Sequence, residues 1–327
     1  MIIETFFPQK KLTNADLETI FPDWSASKIE DKVGIRERHI AADSETALDL
    51  AFEASKIALK NFDKDLIDFV LLCTQSPDYL IPTSACILQD KLGLRTNIGA
   101  FDFNLGCSGF IYGLALAKGL IKTGVATNVL LVTSETYSKH LHPGDRSNRS
   151  IFGDAAAATI VGPTDAEKIL EFDLGTDGQG MDNLILMNGG MRHKMEDKGS
   201  EWVDESGNIR SNNSLFMNGP EIFNFTIEKV PLVVENLLRK NNMMLSEIDY
   251  VIFHQANKYI LNYLRMKIQI PKEKFYNNML FTGNTVSSTI PIALKNCIDQ
   301  NIITEGNKIM LVGFGVGYSW GGTIITV

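Results

Sequence analysis

Two stretches of the chain repeat one another. "LIDFVLLCTQ" (Leu66 to Gln75) and "EIDYVIFHQA" (Glu247 to Ala256) share an Ile-Asp-aromatic-Val pattern followed by apolar residues, 181 positions apart. "LLVTSE" (Leu130 to Glu135) and "MLVGFG" (Met310 to Gly315) are continuous apolar runs ending in small or polar residues, 180 positions apart. Two matches at one spacing predict an internal duplication, and a duplication fixes the architecture before any single element is considered. The halves are expected at residues 1–165 and 166–327. Within each, short Val/Ile/Leu/Phe runs such as "FVLLC", "NVLLVTS", "YVIFH" and "KIMLVGF" alternate with helix-period stretches. Strands that are apolar throughout are buried on both faces, so the class is α/β with sheets flanked by helices.

The remaining punctuation is consistent with this. "SETALDLAFEASKIALKNF" reads as a helix capped by Ser44, and "EIFNFTIEKVPLVVENLLRKNN" as a helix that Pro231 should kink or interrupt. The polar, Gly-rich run from Met187 to Ser214 reads as a long surface loop. A formal net charge of −8 with no Lys/Arg-rich block excludes a nucleic-acid surface or an anionic membrane partner. No apolar run is long enough to span a bilayer, and the N-terminus lacks the pattern of a signal peptide. Cys73, Cys86, Cys107 and Cys297 form no paired spacing, so neither a zinc site nor a disulfide framework is expected, and a cytoplasmic setting is.

Three places could carry chemistry. Cys107 lies between Gly106 and Gly109, just before the helix-period run "FIYGLALAKGLIKTG" that Gly124 closes. A helix start favours thiolate over thiol and would lower the Cys107 pKa; the alternative is a small buried hydrophobe. His254 closes the strand "YVIFH" and opens a polar cluster with Gln255 and Asn257, at the strand edge where α/β ligand sites form. Its counterpart in the first half is the apolar Cys73, so only one copy of the repeat would face a reaction centre, unless His254 is structural. Asn284 precedes the hydroxyl-rich start of a helix in "GNTVSSTIPIAL", equivalent in the repeat to the Cys107 helix. It is either that helix's N-cap or a donor in the same site. The closing "GFGVGYSWGG" can aim backbone N–H groups at a ligand oxygen, but lacks the spacing of a dinucleotide loop.

In this order, "GIRERHIA", "CSGF", "FGDAAAATIVG", "HQAN", "GNTVSSTIPIAL" and "GFGVGYSWG" resemble the β-ketoacyl-acyl-carrier-protein synthase III family over nearly the whole chain. The resemblance implies a thiolase-like, five-layered αβαβα fold of two similar halves, and a homodimer paired through the first half's sheet. It implies that Cys107 accepts an acyl group from an acyl-CoA or acyl-carrier-protein primer. His254 and Asn284 would then assist decarboxylation of malonyl-acyl carrier protein, with no metal or redox cofactor. Backbone N–H groups of Cys107 and Val316 would hold the oxyanion. Arg146 and Asn257 match contacts to the CoA phosphates and pantetheine arm, and Ile81 matches the residue that bounds a partner's acyl pocket.

Some positions depart from that pattern. Lys28 stands where an adenine-stacking aromatic is usual, Lys32 where an arginine is common, and Tyr259 where a second arginine is; Trp24 is nearby but out of register. Fewer guanidinium forks imply weaker phosphate binding, and therefore a different carrier or other CoA contacts. Ile81 in place of phenylalanine implies a different primer pocket. Lys28, Lys32, Arg146 and Lys258 are the candidates to dock an acidic carrier protein; the alternative is that they are simply solvated surface charges. Two other readings share the fold: acyl transfer to a hydroxyl or amine, which the Asn284 amide argues against, and a non-catalytic acyl-binding subunit, which the presence of Cys107, His254 and Asn284 argues against.

Overall fold

The computed structural model describes residues 1–197 and 199–327. The main-sheet strands of the first half are β1 (Ile2–Phe6), β2 (Phe69–Cys73), β3 (Gly99–Phe103), β4 (Val129–Glu135) and β5 (Ala155–Val161). They form one sheet in the order β1-β5-β4-β2-β3, with β3, β2 and β4 parallel and β5 antiparallel to both its neighbours. The second half contributes β6 (Ile169–Thr176), β7 (Tyr250–Phe253), β8 (Lys308–Gly315) and β9 (Ser319–Thr326). Their order, β6-β9-β8-β7, repeats the same succession of directions. A single bridge from Val251 to Phe275 stands in the place of β3.

The duplication holds residue by residue. Val70 pairs with Leu130 in the first sheet, and their repeat equivalents Val251 and Met310 pair in the second. Successive strand residues point to opposite faces, so each sheet feeds two cores. Val70, Leu72, Leu130 and Val132 face helix α2 (Ala47–Ala58). Leu71 and Leu131 face inward, where they meet Ile252 and Leu311 from the other sheet. Between them run helices α3 (Gly109–Lys122) and α6 (Thr289–Asp299), with Phe110, Ile111, Leu114, Ile290 and Leu294 all buried. On the far side Val251, Phe253, Met310 and Val312 pack against helix α4 (Gly219–Lys240) and helix α5 (Lys258–Ile268). Helix, sheet, helix, sheet, helix gives the five layers of a thiolase-type fold.

Three local expectations are corrected. The cap of α2 is Thr46, not Ser44: its hydroxyl accepts from Asp49 N at 3.3 Å while the Asp49 carboxylate accepts from Thr46 N at 3.1 Å. Pro231 does not interrupt α4, which continues through it for 22 residues. The carbonyl that the proline cannot satisfy, that of Ile227, instead accepts from Lys267 Nζ on α5 at 2.8 Å. Residues 187–214 are not simply a surface loop, since a β-hairpin, Glu201–Val203 paired with Ile209–Ser211, folds back with Asn208 and Arg210 buried. Lys198 of this segment lies outside the described residues. Among the described residues, no helix is long and apolar enough to cross a membrane.

Candidate active site

Cys107 sits in the turn from β3 into α3, 6% exposed, one residue before Ser108 at the helix start. Strand β8 passes directly beneath it. A Cβ on Gly315 would stand 3.0 Å from Cys107 Sγ, and one on Gly313 would stand 2.7 Å from the Cys107 carbonyl oxygen. Both positions must be bare for the cysteine turn to lie against the strand. The expected lowering of the thiol pKa meets a stronger opposing effect: burial pushes the Cys107 thiol up, and the nearby Glu135 carboxylate adds to it. At rest the group is therefore a thiol, not a thiolate.

His254 follows the last residue of β7 and is 2% exposed. Burial pulls its pKa down to about 3, so the imidazole is neutral. Its Nδ1 lies 2.7 Å from Thr289 Oγ1, and Thr289 also has the Val286 carbonyl within reach at 3.1 Å. One hydroxyl proton serves one of these at a time. Donated to Val286, it leaves a lone pair for Nδ1–H and a bare Nε2; donated to Nδ1, it requires Nε2–H.

Asn284 is not the cap of α6, which starts five residues later. Its Oδ1 accepts from Val286 N at 2.9 Å, and its Nδ2 stands 3.5 Å from both His254 Nε2 and the Ala256 carbonyl. The amide is thereby oriented, with its N–H groups on the His254 side. The turn is under strain, because the β-branched Val286 has φ +55°. Gln255, read as part of the polar cluster, faces away: it donates to Phe253 O at 2.7 Å and accepts from Asn278 N at 2.7 Å.

A cavity of about 750 Å3 brings Cys107, His254 and Asn284 together, with Lys32 and Asn257 also on its walls. Asn257 spends its Oδ1 on the start of α5, accepting from Ile260 N at 2.9 Å. Arg146 lies 5.4 Å above the Trp24 ring, with Lys28 and Lys32 at 5.2 and 5.0 Å from the same ring, so the out-of-register tryptophan is the hub of the cationic cluster. Val316 follows Gly315 and leans its side chain over Gly106. Ile81 is 86% exposed and is not among the residues that line this cavity.

Sequence reasoning missed Glu135. It closes the wholly buried strand β4, and its carboxylate accepts from Gln75 N at 3.1 Å, Ser76 Oγ at 3.1 Å and Ser287 Oγ at 3.1 Å. It therefore joins the first half to the turn that carries Asn284. Burial pushes its pKa up to about 8. The only signal in the sequence is a carboxylate at the end of an apolar run whose repeat equivalent is Gly315.

The 3-oxoacyl-[acyl-carrier-protein] synthase III family model matches residues 101–178, and its C-terminal counterpart matches residues 238–327. The chain belongs to the β-ketoacyl-[acyl-carrier-protein] synthase III family. A synthase III of Clostridium perfringens is 37% identical over 323 residues, 98% of this chain and 96% of the relative. That of Fusobacterium nucleatum is 37% identical over 326 residues, 98% and 95% of the two chains. A crystal structure of a 3-oxoacyl-(acyl-carrier-protein) synthase III superposes with a TM-score of 0.97 at 47% identity, covering 99% of this chain and 98% of that one. The Pseudomonas aeruginosa enzyme superposes at 0.86 with 32% identity, covering 99% and 96%. Membership of the family accounts for all five layers.

Proposed function

We propose that the chain is a condensing enzyme that joins an acyl primer to a malonyl unit carried on acyl carrier protein, and that Cys107, His254 and Asn284 perform the chemistry. In the first half-reaction the Cys107 sulfur attacks the thioester carbonyl. The thiol proton passes to the bare His254 Nε2 and then to the departing thiolate, leaving an acyl-Cys107 thioester and a free thiol. The oxyanion is held by the backbone N–H groups of Cys107 and Val316. In the second, the electron pair of the malonyl C–CO2 bond becomes an enolate, which attacks the acyl-Cys107 carbonyl and expels Cys107 as thiolate. The products are CO2 and a β-ketoacyl thioester, and a proton from solvent restores the thiol. Electrons balance without an oxidant, a reductant or a metal.

The observation that carries this reading is the orientation of Asn284. Its oxygen is tied to Val286 N, so the group it offers beside neutral His254 is a donor. Donors suit a developing enolate oxygen, whereas acyl transfer to an alcohol or amine needs a base there instead. Thr289 supplies the matching change in His254. In the tautomer whose bare Nδ1 accepts from the Thr289 hydroxyl, the imidazole presents Nε2–H to the enolate; the imidazole reaches it by giving its Nδ1 proton to solvent and taking one at Nε2.

The exposed edge of the first sheet supports a homodimer. Tyr79, Leu80 and Ile81 are 60%, 70% and 86% exposed, close in sequence to the outer strand β3, where Phe101 is 37% exposed. Such a patch calls for a covering partner, and a second copy would bring Ile81 toward the neighbouring acyl pocket.

Intact-protein mass spectrometry tests the reaction. Acyl thioesters should leave an adduct on the wild type and none on Cys107→Ala, and malonyl-acyl carrier protein should then discharge it with release of CO2. An adduct that persists with the malonyl donor but transfers to an alcohol or amine would overturn the condensing assignment.

A further inference from the structure

Glu135 is fully buried behind the Cys107 turn, and the chemistry above makes no use of it. Its partners flank the nucleophile on both sides. Gln75 donates its N–H to the carboxylate at 3.1 Å, and its Oε1 lies 2.7 Å from where a Cβ on Gly106 would stand. Ser287 donates its hydroxyl at 3.1 Å, and its Cβ lies 3.5 Å from where a Cβ on Gly109 would stand. The third donor, Ser76 Oγ, is also 3.2 Å from Nε2 of the half-buried His140. Burial pulls the His140 pKa below its ordinary value, so the imidazole is neutral. A protonated Glu135 can therefore donate to Ser76 Oγ while Ser76 donates to a bare His140 Nε2, an arrangement in which every group is uncharged and satisfied.

The titratable groups around this carboxyl come from four elements. They are Cys73 at the end of β2, Cys107 ahead of α3, Tyr137 and His140 after β4, and Asp154 ahead of β5. From the turn before α6 it meets the hydroxyl of Ser287. With His140 neutral, none of these groups compensates a negative charge at Glu135. Such a charge bears on the two half-reactions unequally. In acylation the Cys107 proton leaves as the sulfur attacks, and the electron pair released ends on the departing thiol. In condensation the malonyl carboxylate leaves as CO2, and its electron pair, passing through the enolate, ends on Cys107 Sγ. A carboxylate behind the same sulfur repels that incoming charge. On the condensing reaction proposed above, we propose that Glu135 is a positioning residue that gates condensation by its charge: as a neutral acid it lets Cys107 leave as a thiolate, and on losing its proton it slows the second half-reaction far more than the first.

The test measures the two half-reactions separately, from pH 6 to pH 9, in the wild type and in Glu135→Gln. Acylation of Cys107 by one acyl thioester is followed by intact mass, and discharge of the preformed acyl-enzyme by malonyl-acyl carrier protein is followed by release of CO2. Dividing the wild-type rate by the variant rate at each pH removes the donors' own pH dependence. For condensation this ratio should be level below pH 7 and fall about tenfold by pH 9, one unit above the value of about 8 to which burial pushes Glu135. For acylation it should change less than about threefold. Ser287→Ala leaves the carboxyl in place and removes one donor to its charged form, so the alkaline fall should move to higher pH. A level condensation ratio, equal falls in both half-reactions, or a fall that Ser287→Ala leaves in place would make Glu135 a structural group only and end the proposal. If acyl-Cys107 forms but malonyl-acyl carrier protein discharges it at no pH, the condensing reading falls, and this proposal with it.

Discussion

Glu135 gives the fold a pH dependence that can be worked from its surroundings. In the folded chain burial holds its pKa up to about 8, against an ordinary carboxyl value of 4.5. The neighbouring Asp154 carboxylate works in the same direction, and the three donors from Gln75, Ser76 and Ser287 work against it. A carboxyl whose folded pKa is raised binds more protons folded than unfolded between the two values. Its stabilising contribution is therefore complete below pH 4.5 and is lost as pH rises through about 8. Integrating the linkage between pKa values of 4.5 and about 8, the difference between folded and unfolded states for this one group costs about 2 to 3 kcal/mol between pH 5 and pH 7 and about 4 kcal/mol by pH 9. Glu135→Gln keeps the shape and cannot ionise. Urea unfolding of both proteins from pH 5 to pH 9 should show the variant gaining on the wild type by those amounts. Parallel stability curves, or a gap that narrows as pH rises, would refute the argument and mean that Glu135 is ionised in the native state.

Asn284→Asp keeps an oxygen for Val286 N but sets a carboxylate where the enolate forms. CO2 release from malonyl-acyl carrier protein should fall by about 100-fold or more, with a much smaller effect on Cys107 acylation, as followed by intact mass. Thr289→Val removes the hydroxyl that sets the His254 tautomer and should lower condensation by about tenfold to 100-fold; Thr289→Ser should restore most of it, which a packing role alone would not produce. Lys267→Met withdraws the donor that replaces Pro231's missing N–H. It should cost about 1 kcal/mol in urea unfolding, and Lys267→Arg should recover part of it.

What could be read from the sequence, and what could not, divides by the distance over which the physics acts. A strand buried on both faces must be apolar throughout, so the repeat of "FVLLC" by "YVIFH" and of "LLVTSE" by "MLVGFG" carried the duplication and the equivalence of the Cys107 and Asn284 helices, while the pairing of the strands is legible only in the structure. Groups whose partner is remote in sequence left no such trace. Arg38 in "GIRERHIA" is fully buried, donating to Asn14 Oδ1 at 2.9 Å and to the Ser150 carbonyl at 2.8 Å, 112 residues away, and nothing in the run around it announces either partner. Glu135 acquires its meaning from Ser287, 152 residues on, and Pro231 is tolerated because of a lysine on another helix. The hairpin was hidden for the same reason: Gly and Asn mark its turns, but its hold on the cavity comes from Arg210 reaching an aspartate 65 residues earlier. Cys107 is the mixed case. Its helix start was visible and argues for a low pKa, but the burial that argues the other way is made by β8, and it wins because a thiolate deprived of water loses more than the first turn of a helix returns. The same burial keeps His254 neutral, so both groups lining the cavity are uncharged at rest.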